Sequence, residues 1–302
     1  MKPEELRAKY GGVIAFPVTP FRDDLSLDLE GLRHNLTQLI NHSVSAVVAA
    51  GGTGEMYSLT PSEHAQVIET TVEIVNGKTP IIAGVGFNRA LAVEMAKCSD
   101  AAGADAILAL PPYYPQADEE ALIEYYRAIG GATDLGLLIY SRDWVNFSPA
   151  QVERLAAKIP TLVAWKDGQA DLRRLQMVID RVGDRLHWIG GAGDDMVPGY
   201  YSIGIRTYTS SIATVAPKLS LALHDAAANG RAEELSQLMS DCVTPLYALR
   251  ARRKGYEVSA MKAMMDMMGL RGGPVRPPLP DVRAEEREEL RAMLDKWEPF
   301  LG

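Results

Sequence analysis

Cysteine is scarce. Cys98 and Cys242 are the two in 302 residues, too few for a disulfide framework and not placed as a CxxC pair, so a reducing cytoplasm is the expected setting. The five histidines, at 34, 42, 64, 187 and 224, form no HExxH or other ligand spacing, which excludes the common zinc motifs. No metal is expected. Positive charge is also in short supply: 31 Lys and Arg stand against 39 Asp and Glu, a formal net charge of −8. That balance argues against broad nucleic-acid binding, and any anionic ligand must be held by a local site. No apolar run approaches the roughly 18 residues of a membrane span. Met1 to Arg7 is charged and lacks an apolar h-region, so neither insertion nor secretion is expected. With 47% hydrophobic and 23% charged residues, the chain has the means to bury a sizeable core.

What is present is a rhythm. Short apolar runs alternate with longer amphipathic stretches: 12–18, 46–50, 80–85, 106–110, 135–140, 162–165, 186–189 and 205–209. Most are apolar on both sides of the pleat, as parallel strands covered by helices outside and barrel packing inside must be. Between them lie helix starts. Thr60-Pro61-Ser62-Glu63 and Ser148-Pro149-Ala150-Gln151 each pair an N-cap with a proline at the first helical position. Eight strands and seven intervening helices predict an α/β fold, an eight-stranded parallel β/α (TIM) barrel. After about residue 230 the pattern is helical only, over 232–253, 259–268 and 283–297, with a turn-rich 269–280 between the last two. The expected organisation is a barrel over 1–229 and a helical extension over 230–302. The Arg271 to Pro278 segment reads as a rigid connector, since it contains no PxxP array.

Barrels place chemistry at the C-terminal ends of their strands. That rule selects Gly51 to Glu55, Pro111 to Tyr114, Tyr140 to Asp143, Lys166 to Gly168, Gly190 to Asp195 and Ser210-Ser211. Lys166 is the one lysine of ten that directly ends an apolar strand run. Its competing reading is an ion-pair partner of Asp167. For the amine to attack a ketone it must be neutral, and lowering its pKa by about three units needs roughly 4 kcal/mol of desolvation or cation repulsion. Burial against Trp165, with Arg142 nearby, is the expected source. Tyr140 ends the preceding strand, where its phenol either moves protons or merely caps the barrel core. The Gly51 to Gly54 turn offers unobstructed backbone N–H groups and the Thr53 hydroxyl, suited to a carboxylate or phosphate; the alternative is a tight turn that holds Glu55 structurally.

Other signals carry less. Gly84-Val85-Gly86 is followed by Arg89 where a dinucleotide fingerprint needs glycine, and Gly77-Lys78-Thr79 has Val72 where a P-loop needs one. Asp194-Asp195 reads as a helix N-cap. The methionines at 261, 264, 265, 267 and 268 read as core or subunit interface.

Taken in order, Phe16 to Phe21, Gly52-Thr53-Gly54-Glu55 with Ser58-Leu59-Thr60, Ala83 to Gly86, Pro112-Tyr113-Tyr114, Tyr140, Lys166 and Gly193-Asp194-Asp195 resemble the Schiff-base-forming family of dihydrodipicolinate synthase and N-acetylneuraminate lyase, over essentially the whole chain. The resemblance implies that Lys166 forms an imine with a 2-oxo acid, that Tyr140 shuttles protons, and that Gly52, Thr53 and Gly54 hold the substrate carboxylate. It also implies a homotetramer that needs no cofactor, and a second tyrosine, Tyr114, that enters a neighbouring subunit's site or is structural. Departures bear on the subfamily. Gly52 stands where synthases have threonine, Val145 where they have arginine, and Ser141-Arg142-Asp143 where lyases and synthases read Asn-x-Pro. Gly51 to Glu55, Arg142-Asp143, Trp165 to Gly168, Tyr208 to Ser211, Arg252 to Tyr256 and Gly273 to Pro278 resemble the 5-dehydro-4-deoxyglucarate dehydratase subfamily instead, although Ser141 and Trp144 replace asparagines expected there.

The expected reaction is therefore conversion of 5-dehydro-4-deoxy-D-glucarate to 2,5-dioxopentanoate, CO2 and water, with Arg142 and Ser210 on the distal hydroxyls or second carboxylate and Gly193 in the substrate-binding set. The alternatives are a pyruvate-dependent aldolase or synthase using the same imine, and a non-catalytic 2-oxo acid binding protein. The expected ligand is a small 2-oxo acid or sugar diacid.

Overall fold

The structure, a computed structural model, describes residue 5 and residues 8–301. The charged stretch Met1 to Arg7 lies, apart from Glu5, outside the described residues. Eight strands close into a parallel barrel in sequence order: β1 (Gly12–Ala15), β2 (Ala46–Ala49), β3 (Ile81–Val85), β4 (Ala106–Ala109), β5 (Gly136–Ser141), β6 (Leu162–Asp167), β7 (His187–Gly190) and β8 (Thr207–Ser210), which pairs back onto β1. Each arises from one of the eight apolar runs. Seven of the eight strands are buried along their whole length, which is why their sequences do not alternate. Inside the barrel Ile14, Ala46, Val48, Ile82, Ala106, Leu108, Leu138 and Ala164 interdigitate, small residues making room for branched ones across the narrow bore.

Between the strands run α1 (Leu29–Leu39), α2 (Pro61–Val75), α3 (Arg89–Ala102), α4 (Glu119–Gly130), α5 (Pro149–Lys158), α6 (Leu172–Val182) and the short α7 (Val197–Ser202); α8 (Pro217–Ala228) follows the last strand. Both expected caps form. Thr60 with Glu63 and Ser148 with Gln151 make reciprocal capping boxes, each with proline in the first turn, so orphan N–H groups at both helix starts are satisfied.

The helical extension departs from the sequence expectation in one place. Instead of one helix over 232–253 there are α9 (Ala232–Leu238), a π-helical stretch Met239–Val243, and α10 (Thr244–Arg250). Pro245 supplies the reason: it has no N–H to donate and its ring crowds the preceding turn, so the ladder slips by a residue there. Next come α11 (Tyr256–Met267) and α12 (Ala284–Trp297). Met261, Met264 and Met265 are fully buried, packed with Leu246, Leu290 and Trp297 and with Leu219 and Leu223 of α8. The connector is tied down at both ends. Asn35 exchanges hydrogen bonds with the Arg271 backbone at 2.7 and 2.9 Å, and Arg276 clamps Glu63 and the carbonyls of Leu25 and Ser58. No helix among the described residues is long and apolar enough to cross a membrane.

Candidate active site

Strand register brings the first two residues together. Tyr140 on β5 and Lys166 on β6 are direct partners across the pair, after a register shift between Leu137 and Leu138. Past that irregularity Ala164 shares the barrel interior with Leu138 and Tyr140, and period-2 alternation carries Lys166 to the same side. Trp165 and Asp167 face outward. Trp165 packs edge-on against Phe147, ring centroids 5.5 Å apart, so it is not the residue that buries the amine. The Lys166 Nζ instead lies 3.2 Å from the centroid of the Tyr140 ring and 5.2 Å from that of Phe16.

Lys166 is 3% exposed, and its amine donates to the Gly191 carbonyl at 2.9 Å. Burial drives its pKa well below the usual lysine value, Arg142 pushes in the same direction, and Asp167 opposes both. The ion pair with Asp167 that competes for this residue is absent: that carboxylate accepts from the Tyr200 hydroxyl at 2.9 Å and from the Gln169 and Ala170 N–H groups. The Tyr140 hydroxyl donates to the same Gly191 carbonyl at 3.3 Å and accepts from Arg142 at 3.3 Å. Burial raises its pKa, with the Arg142 guanidinium working against the rise. One acceptor thus gathers a neutral-leaning amine and a phenol beneath a cation. That is a set able to form an imine and to move a proton beside it.

Two glycines make the approach possible. A Cβ at Gly191 would lie 2.4 Å from the Lys166 Cγ and 2.9 Å from its Nζ, and one at Gly168 would lie 2.5 Å from the Tyr140 ring. Both glycines lie in stretches that follow strand ends in the sequence, but the close approach itself depends on tertiary packing.

The Gly52 loop sits at the end of β2. Its carbonyls are used, Gly51 accepting from Met56 and Gly52 from Glu55, and the Gly54 carbonyl accepts from the Thr19 hydroxyl at 2.6 Å. Among the described residues no protein acceptor takes the N–H groups of Gly52, Thr53 and Gly54. A Cβ on Gly52 would meet nothing within 4 Å. The loop therefore has free donors and open space above one of them, the physical requirements for a carboxylate.

Arg142 is half-buried, with Asp143 3.4 Å away. Ser210 is placed differently from the expectation that it faces a ligand. It is fully buried, and its hydroxyl donates to Asp194, lies 2.8 Å from the Ser220 hydroxyl, and accepts from the Ala213 N–H. Gly193 has φ +151° and a Cβ there would lie 2.3 Å from the Tyr247 hydroxyl, so it makes room for Tyr247. Asp194 is not a side-chain N-cap. It is a wholly buried carboxylate bonded by Ser210 and Tyr247, its pKa raised to about 6 by burial. No cluster of three or more His, Cys, Asp or Glu among the described residues is arranged to hold a metal ion.

The profile described as "Dihydrodipicolinate synthetase family" matches residues 9–297. The chain belongs to that family. It is an enzyme of the family, and its fold is the family's: a crystal structure of dihydrodipicolinate synthase from Oceanobacillus iheyensis superposes with a TM-score of 0.92 at 30% identity, covering 98% of this chain and 99% of the other. Among curated relatives, "Probable 5-dehydro-4-deoxyglucarate dehydratase" from Methylobacterium radiotolerans is 41% identical over 97% of this chain and 98% of its own. A relative of the same name from Saccharopolyspora erythraea is 40% identical over 96% and 94%.

The departures from the family pattern have structural roles. Ser141 donates its hydroxyl to the Val145 carbonyl at 2.9 Å, and Val145 is fully buried. Trp144 donates to the Pro112 carbonyl at 2.9 Å, while Tyr113 and Tyr114 stand exposed beside that point. Sequence reasoning missed Lys262. It is 1% exposed on α11 and lies 2.6 Å from the equally buried Glu55. Its position within the methionine-rich helix gave no sign of this, because the partner is distant in sequence.

Proposed function

We propose that the chain is a decarboxylating dehydratase that converts 5-dehydro-4-deoxy-D-glucarate to 2,5-dioxopentanoate, CO2 and water through a Schiff base on Lys166. One observation carries the reading: a buried amine at the end of β6 with its pKa driven down, set on the Tyr140 ring and held by the Gly191 carbonyl. The names of the relatives from Methylobacterium radiotolerans and Saccharopolyspora erythraea support the choice of substrate.

In this mechanism the neutral Lys166 attacks the ketone and water leaves as the imine forms. The iminium withdraws electrons and acidifies the adjacent CH2. Tyr140 relays the proton from that carbon, giving an enamine that expels the β-hydroxyl as water. The resulting unsaturated iminium accepts the electron pair released when the distal carboxylate departs as CO2. Protonation, tautomerisation of the enol to an aldehyde, and addition of water to the imine release product and restore the amine. Gly52, Thr53 and Gly54 bind the carboxylate beside the ketone, and Arg142 binds the distal polar end. Ser210, with its hydroxyl fully engaged, acts by holding Asp194. The protein works in the cytoplasm as a homotetramer.

The test is incubation with the sugar diacid. CO2 and 2,5-dioxopentanoate in equal amounts support the reading; pyruvate release instead identifies a pyruvate-dependent aldolase, and neither product with tight binding identifies a 2-oxo acid binding protein.

A further inference from the structure

Glu55 directly follows the Gly52-Thr53-Gly54 loop and is 0% exposed, with φ +51° in the left-handed region. That conformation is costly for a residue with a side chain and persists only where the surroundings fix it. Here the surroundings come from the far end of the chain. One Glu55 oxygen lies 2.6 Å from the Lys262 Nζ. The other accepts from the Arg276 backbone N–H at 3.0 Å, and Lys262 also donates to the Pro274 carbonyl at 2.9 Å. The Phe21 ring meets both cations, its centroid 4.3 Å from the Lys262 Nζ and 4.1 Å from the Arg276 guanidinium carbon. The Glu55 N–H closes the loop onto the Gly52 carbonyl at 3.1 Å.

A buried ion pair is weak evidence for stability, because desolvating both charges offsets most of their attraction. The position of this pair suggests another use. Glu55 is the residue after Gly54, so an unpaired carboxylate there would add negative potential near the loop and repel an anion approaching its N–H groups. We infer that Lys262 is a positioning residue: paired with Glu55, it holds the Gly52-Thr53-Gly54 loop in shape and cancels the charge that would otherwise repel the carboxylate of a 2-oxo acid. This rests on the reading that the loop receives that carboxylate.

The test uses borohydride reduction of the imine on Lys166, formed with two probes in separate reactions: pyruvate, which carries the carboxylate, and acetone, which does not. In Lys262→Met the pyruvate concentration for half-maximal trapping rises about tenfold, equivalent to about 1.4 kcal/mol, while acetone trapping is unchanged. Adding Glu55→Gln to Lys262→Met removes the uncompensated carboxylate and brings the pyruvate value back to within about threefold of the wild type. If Lys262→Met does not fold, Lys262→Gln keeps a donor toward Glu55 and carries the same expectation in weaker form, about threefold. Unchanged pyruvate trapping in the single variant, or equal loss with both probes, overturns the inference. A double variant as weak as the single one overturns its electrostatic part. Absence of trapping at Lys166 in the wild type overturns the functional reading itself, and this inference with it.

Discussion

The Lys166 amine lies above the face of the Tyr140 ring, 3.2 Å from its centroid, and not beside its hydroxyl. Amine and phenol meet through a shared acceptor, the Gly191 carbonyl. The ring covers the amine, while the hydroxyl is held apart from it by the Gly191 carbonyl and Arg142. In the proposed mechanism ring and hydroxyl therefore have separate jobs, shielding the amine and relaying a proton. These two jobs of one side chain can be separated. Tyr140→Phe keeps the ring, so Lys166 is still trapped by borohydride, but kcat falls about 10²- to 10⁴-fold with little change in KM. Steady-state kinetics alongside trapping checks this; loss of trapping in step with kcat would assign the hydroxyl to imine formation.

Arg142 pushes the Lys166 pKa down. Removing that cation in Arg142→Gln lets the pKa climb, so the acid limb of kcat/KM against pH moves to higher pH. KM for the diacid also rises, by about tenfold or more if the guanidinium binds the distal carboxylate. A pH profile with an unmoved acid limb would show that burial alone sets the amine.

Glycine substitutions separate packing from substrate space. Gly191→Ala places a methyl 2.4 Å from the Lys166 Cγ and 2.5 Å from the Asp167 carbonyl oxygen, costing about 1–3 kcal/mol through overpacking and abolishing trapping. Gly52→Ala meets no neighbour within 4 Å. It leaves the melting temperature unchanged and raises KM, since the methyl occupies space above the loop. Thermal melts and kinetics on the pair test this, and an unchanged KM in Gly52→Ala would place the carboxylate elsewhere.

Asp194 carries a stability signature. Its pKa is raised from 3.8 to about 6 in the folded chain, so the folded state binds more protons than the unfolded state between those values. The associated stability is fully present below the unfolded pKa and is lost as pH rises through about 6. The loss approaches roughly 3 kcal/mol at about 1.36 kcal/mol per unit. Denaturant midpoints of wild type and Asp194→Asn should therefore diverge between pH 4 and 7, the variant gaining relative to the wild type as pH rises. A constant difference would contradict the raised pKa.

The barrel was legible because its strands are buried on both faces, which leaves a pattern of unbroken apolar runs that composition alone cannot produce. Lys166 and Tyr140 were legible for a local reason: each sits at or next to the end of such a run. The residue that buries the amine was not, because a register shift between β5 and β6 decides which way Trp165 and Lys166 face. Asp194 looked like a cap because it precedes a helical turn, yet its partners Ser210 and Tyr247 come from β8 and α10. Glu55 and Lys262 each appear unremarkable in their own segments, and only the return of the C-terminal helices onto the β2 loop pairs them.

The central claim is that the Lys166 amine is uncharged enough to form an imine with the substrate. The measurement is peptide mass spectrometry after borohydride reduction in the presence of 5-dehydro-4-deoxy-D-glucarate, on wild type and on Lys166→Ala. A reduced adduct is expected on the Lys166 peptide of the wild type, with neither adduct nor turnover in the variant. Turnover that persists in Lys166→Ala, or an adduct carried by another lysine, would contradict it.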